Sequence, residues 1–240
     1  MTPPIIRDDH EGASAAAAAL LARLVAARLA AAGVAHLALG GGHTPQRVYE
    51  TLGAMLPDWS AVHLWLGDER VVPGDDVDAN VRMVRECLVA GMEPAPVLHP
   101  VETALGAEAA CAAYEASLRE LVPADAAGVP VLDVAFLGLG EDGHTASLFP
   151  RAETLDATGA CVVVHGSPKP PPVRISMTMP VLRAARARVV LVTGAGKARA
   201  VARALGESTP EIPASLLPRQ DTTFVLDAAA AAELDGGHGA

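Results

Sequence analysis

His144 stands among carboxylates and glycines, in the run Gly138-Leu139-Gly140-Glu141-Asp142-Gly143-His144-Thr145-Ala146-Ser147-Leu148-Phe149-Pro150. Histidine is the side chain whose ordinary pKa lets it take up and return a proton near neutral pH. The apolar run Val131 to Leu137 just before it reads as a buried strand, so the imidazole is delivered at a strand's carboxyl end. Open α/β sheets bind their ligands at that rim. Ser147 follows close behind, but it lacks the G-x-S-x-G elbow that presents a nucleophilic serine.

A second acid–base group, Gly67-Asp68-Glu69-Arg70, follows another apolar run. If the two strands are parallel neighbours, Asp68, Arg70 and His144 share one rim. A carboxylate such as Asp68 can orient a histidine there, and an arginine such as Arg70 can stabilise an oxyanion.

Two glycine loops suit an anion. Gly40-Gly41-Gly42-His43-Thr44-Pro45 joins strand to helix, and its glycines let backbone amides approach a ligand closely. It is neither a Walker A loop nor a G-x-G-x-x-G fingerprint. In Thr193-Gly194-Ala195-Gly196-Lys197 the lysine falls at or near the first turn of a helix. The macrodipole disfavours a cation there unless an anion sits beside it. Arg174, on a strand among apolar neighbours, offers a further charge-assisted contact. His43, His63, His99 and His144 have no partner at HxxxH, HExxH or CxxC spacing, so no metal and no cofactor are expected.

Alternating strands and helices must position these groups. Helices are predicted over Ser14–Ala32, from a Thr44 cap and Pro45 through about Leu56, and over Asn80–Ala90, Ala107–Leu121, Lys197–Leu205 and Ala228–Leu234. Strands are predicted over Val34–Leu39, Val62–Leu66, Val131–Leu137, Cys161–His165, Arg174–Met177, Arg188–Thr193 and Thr222–Leu226, with a frayed tail at Gly236–Ala240. Such alternation implies a mainly parallel sheet with helices on both faces.

At 240 residues the chain suits one large domain. Hydrophobic residues make up 51% and aromatics only 3%, so the core must be built from Ala, Val and Leu. The few aromatics also argue against nucleic-acid stacking platforms. A net charge of −10 argues against a nucleic-acid or anionic-membrane surface. Cys87, Cys111 and Cys161 are odd in number and lack CxxC spacing, which points to reduced thiols in a cytoplasmic protein. Met1 to Asp9 lack a signal-peptide pattern, and Arg23 and Arg28 interrupt the Ala-rich run that a membrane span would need.

Taken in order along most of the chain, several segments resemble one family. They are LALGGGHTPQRVYETL (37–52), LWLGDERVVP (64–73), DVDAN (76–80), FLGLGEDGHTASLFP (136–150), RISMTMPVL (174–182) and LVTGAGKARAV (191–201). The chain is identified by them as a member of the glucosamine-6-phosphate isomerase/6-phosphogluconolactonase family, on its lactonase side. The related deaminases carry an acidic residue soon after the DGH triplet, where this chain has Thr145-Ala146-Ser147. His43 and Ala79 stand where relatives often carry a small residue and a serine.

The resemblance implies a single modified Rossmann-like domain over 1–240 that hydrolyses a sugar-phosphate lactone as a monomer or weak homodimer. It implies that Gly41, Gly42, His43 and Thr44, with Arg174 and Lys197, hold a phosphate. His144 is then the base, Asp68 orients it or the attacking water, and Arg70 or backbone amides meet the oxyanion. Asn80, Asp142 and Gly143 support the same rim. A deaminase or isomerase, and a non-catalytic sugar-phosphate regulator, are the alternatives. The regulator would need a basic DNA-binding segment that the length and charge of this chain do not offer.

Overall fold

Strand and helix alternate from the start of the chain. β1 (Ile5–Arg7) leads into α1 (His10–Ala32), then β2 (Ala35–Leu39), α2 (Gln46–Leu52), β3 (Val62–Leu66), β4 (Asp68–Arg70) and α3 (Asn80–Val84). Next come β5 (Val97–His99), α4 (Ala107–Leu121), β6 (Val134–Gly138), β7 (Cys161–Val164), β8 (Arg174–Met177) and α5 (Met179–Ala184). The chain closes with β9 (Ala187–Val192), α6 (Ala198–Ala204), β10 (Thr222–Asp227) and α7 (Ala228–Ala231). These elements belong to a computed structural model that describes residues 3–234. The tail expected over Gly236–Ala240 lies outside them.

Seven strands form a parallel sheet in the order β1-β10-β9-β6-β2-β3-β5. Its strands read as near-continuous apolar runs, as strands covered on both sides must. Leu37, Leu39, Leu64, Leu66, Phe136, Val190 and Val225 are all buried within it. α1 lies along β1, β2, β6, β9 and β10, and its Ala13, Ala17, Leu21 and Val25 are fully covered. By length and composition α1 could cross a membrane. Here that apolar face packs on the sheet, and Arg28 pairs with Asp133 at 2.7 Å. The helix starts four residues earlier than its alanine run suggests, because the Asp9 carboxylate caps it by accepting the Gly12 N–H at 2.8 Å.

A second, antiparallel sheet of three strands, β4-β8-β7, stands beside the first. Gly67 joins the two sheets: its N–H donates to the Leu39 carbonyl, and its carbonyl accepts from Met177. Sequence reading takes Gly67–Arg70 for a charged turn, whereas the last three of these residues are a strand. α2 also starts one residue later than a Thr44 cap implies, with Pro45 in the cap position.

Candidate active site

The order of the large sheet reverses between β2 and β6. From β2 the chain grows outward through β3 to β5, and from β6 it grows the other way through β9 and β10. A crevice outside the carboxyl ends of the strands at such a switch point is the usual ligand site of an open α/β sheet. A cavity of about 340 Å³ opens there. Its wall includes Gly41, Gly42, His43 and Thr44 after β2, Asp68 and Arg70 from β4, His144 after β6, Arg174 from β8, and Lys197 after β9. Three predicted site residues, Asn80, Asp142 and Gly143, lie behind that wall rather than on it.

The loop after β6 presents the imidazole. Gly140 donates its N–H to the His144 carbonyl at 2.8 Å, closing a tight turn in which the ring lies against Gly140. A Cβ on Gly140 would overlap the ring, so the close approach needs glycine. The ring tilts against Phe149 at a centroid distance of 4.7 Å. Its Nδ1 bonds the Asp142 carboxylate at 2.5 Å, and the His144 backbone N–H donates to the same oxygen at 3.2 Å. Burial pushes the Asp142 carboxyl up, but the hydrogen bond and charge of His144 outweigh it and bring it down to about 2. Asp142 therefore fixes Nδ1 as the protonated nitrogen and leaves Nε2 as the basic one. Gly143 is buried behind the ring, its carbonyl accepting from Ala214.

This corrects the expectation that Asp68 orients His144. Asp68 instead accepts the Ser147 hydroxyl at 2.6 Å and lies 4.0 Å from the Arg174 guanidinium, all three being buried. The two carboxylates differ in reach: Asp142 is two residues from the histidine on one turn, whereas Asp68 sits on the neighbouring small sheet. Ser147, fully buried and committed to Asp68, is not on the cavity wall, so it is not placed to act as a nucleophile.

Cations crowd the cavity. Arg70 lies directly opposite Arg174 in the β4–β8 register. Like charges so placed repel, unless an anion joins them. Arg70 donates Nη1–H to the Asp78 carbonyl, and its buried Nε–H has no partner among the described residues. Arg174 spends most of its donors on the carbonyls of Lys169, Pro170 and Pro171 and on Ser147. It brings charge to the cavity more than free N–H groups. Lys197 ends a 3₁₀ turn and sits 4.0 Å from Glu141. Burial lowers its pKa, which the Glu141 charge opposes and the nearby Lys169 charge reinforces.

Two residues went unnoticed in the sequence. Lys169 joins the cavity wall from the Pro168–Pro172 loop that Arg174 holds in place. Its signal was a lysine fixed among prolines a few residues before an arginine. Glu69 is buried between β4 and α3. Its signal was alternation: in a strand, Asp68 and Arg70 share one side and Glu69 the other.

The glycine loop rests on Asn80. The Asn80 carboxamide donates to the Asp68 carbonyl at 2.8 Å and fills the space where a Cβ on Gly41 would lie. His43 is exposed at the mouth. Among the described residues no group of three His, Cys, Asp or Glu side chains suits a metal. The β3–β5 register nevertheless joins His63 to His99 at 3.0 Å, a pairing that linear spacing does not reveal.

The family described as glucosamine-6-phosphate isomerases/6-phosphogluconolactonase matches residues 8–226. The chain belongs to this family. The 6-phosphogluconolactonase of Streptomyces coelicolor is 40% identical over 97% of this chain and 95% of its own length. That of Mycobacterium tuberculosis is 40% identical over 92% of this chain and 93% of its own. Among solved structures, 6-phosphogluconolactonase from Trypanosoma brucei superposes with a TM-score of 0.85 at 29% identity, covering 97% of this chain and 99% of that one. A monomeric glucosamine-6-phosphate deaminase superposes with a TM-score of 0.78 at 20% identity, which shows that the family's fold extends to it. The mainly parallel sheet flanked by helices is this glucosamine-6-phosphate deaminase-like fold.

Proposed function

We propose that this chain is a 6-phosphogluconolactonase, hydrolysing 6-phospho-D-glucono-1,5-lactone to 6-phospho-D-gluconate in the oxidative pentose phosphate pathway. The observation that carries the reading is the His144–Asp142 pair facing a cavity that also gathers a glycine loop and four cations. The lactonases of Streptomyces and Mycobacterium, aligned over nearly their whole length, support the same activity.

The phosphate is held by the backbone amides of Gly41 to Thr44 with Lys197 and the charge of Arg174, which sets the lactone carbonyl beside His144. Nε2 of neutral His144 takes a proton from water as the water oxygen attacks C1. The carbonyl oxygen gains charge, and the unpartnered Nε–H of Arg70 is a donor available to it. As the C1–O5 bond breaks, the imidazolium returns its proton to the departing ring oxygen, giving a carboxylic acid that ionises and a free hydroxyl. Asp142 stabilises the imidazolium in between. The reaction needs no metal, no cofactor and no covalent intermediate, and the setting that suits it is a single-domain cytoplasmic enzyme.

The test generates the lactone in situ from glucose 6-phosphate with a dehydrogenase and follows its disappearance. Wild type should accelerate the loss, and His144→Ala should lower kcat by about 10²–10⁴-fold. Equal acceleration by both keeps the activity and removes His144 as base. No acceleration by either removes the activity.

A further inference from the structure

Glu69 takes no part in the cavity wall, yet it is the most deeply buried carboxylate among the described residues, at 1% exposure. Oε1 accepts the backbone N–H groups of Arg70 and Asn80, each at 2.7 Å, and Oε2 accepts that of Val81 at 2.8 Å. A strand residue thus caps the start of α3 from outside the helix. Ile175 stands opposite it on β8, and the Tyr114 hydroxyl, which faces it from α4, is committed to the Leu66 backbone. Asp68 is the charged neighbour that acts on it, and it repels. Burial pushes the Glu69 carboxyl up to about 7 despite its three amide bonds.

A buried carboxylate without a cation is an expensive cap. What it offers is acceptors alone: a carboxamide in its place would turn an NH₂ toward at least one of the three N–H groups. The residue so fixed is Asn80, whose side chain supports both the Asp68 carbonyl and the underside of Gly41.

We propose that Glu69 is a positioning residue, fixing Asn80 through its amide hydrogen bonds and, through Asn80, holding the Gly41–Thr44 loop in its anion-binding shape. The inference rests on the reading that this loop receives the substrate's phosphate.

KM and the Kd for inorganic phosphate do not depend on the fraction of folded enzyme, whereas apparent kcat does. A merely structural role would therefore lower Tm and apparent kcat and leave both constants in place. Steady-state kinetics on the lactone, with calorimetric titration of inorganic phosphate, should show Glu69→Gln raising KM and Kd about tenfold while kcat stays within about threefold. Asn80→Ala keeps every backbone bond to Glu69, should give the same split, and carries the test if Glu69→Gln does not fold. The double variant should be no worse than the worse single one, because both act through one contact. Constants within about twofold of wild type in either folded variant, or full additivity in the double, overturn the proposal. Wild-type turnover decides the activity separately. If the lactone is not a substrate, the ratio of phosphate constants still decides the role of Glu69, and a wild type that binds no phosphate removes both readings.

Discussion

One nitrogen of His144 is committed and the other is not, and that asymmetry rests on a single carboxylate. Asp142→Asn can turn its NH₂ toward the ring, favouring the tautomer with the proton on Nε2, which cannot act as a base. We expect kcat to fall by about 10²-fold with KM nearly unchanged. Asp68→Asn keeps an acceptor for Ser147 and should cost less than about tenfold in kcat. If Asp68→Asn proved the more damaging in kcat, the orienting carboxylate would have been misassigned. Lys197 belongs to binding instead: Lys197→Ala should raise KM with kcat largely kept, and a pure kcat loss would move that lysine to the reacting centre. The residues were largely legible from the sequence because glycine, histidine and charge clustered after apolar runs. The pairing of Asp142 with His144 was not, since two carboxylates stood within reach of one histidine and only the turn geometry separates them.

Elements that run five residues or more could be read from composition, and those that run three could not. β2, β3, β6, β9 and β10 are long apolar runs, whereas β1, β4 and β5 are three residues each, too short for periodicity to register. Missing β4 hid the antiparallel sheet, and with it the Arg70–Arg174 opposition, the distance of Asp68 from His144, and the role of Glu69. The loop after β6 shows the opposite case, a geometry that its glycines announce. Gly140 lies so close to the His144 ring and the Asp142 carboxylate that one methyl group must displace them. Gly140→Ala should therefore cut kcat by about 10²-fold while KM stays within about threefold, because the phosphate contacts lie on other loops. A matching rise in KM would mean that the β6 loop also positions the phosphate.

The chain as a whole carries a histidine cluster toward the end of the sheet away from the cavity, and its response to acid follows from burial. In register on β2, β3 and β5, His36 accepts the Trp65 indole N–H at 3.2 Å, His63 bonds His99 at 3.0 Å, and His99 stacks on Trp65 at 3.9 Å. Burial first, and then the neighbouring imidazoles, hold His36 and His99 down at about 4, and burial lowers His63 as well. In the unfolded chain these rings titrate near 6.5. As pH falls below about 6.5 the unfolded state takes up protons that the folded state refuses, so stability is intact above that value and is lost as pH drops toward 4. For the nearly fully buried His36 the loss is on the order of 3 kcal/mol once it is complete. Net charge works the other way. At −10 the chain repels itself at neutral pH, and acidification toward its pI near 5.2 relieves that repulsion. The two effects give opposite signs between pH 7.5 and 5, and burial should win, lowering Tm. His36→Asn keeps an acceptor for Trp65 but does not titrate, so its Tm should fall less over the same interval. Thermal unfolding of both proteins at the two pH values settles the matter: equal drops would clear His36, and a rise in wild type would give the decision to net charge.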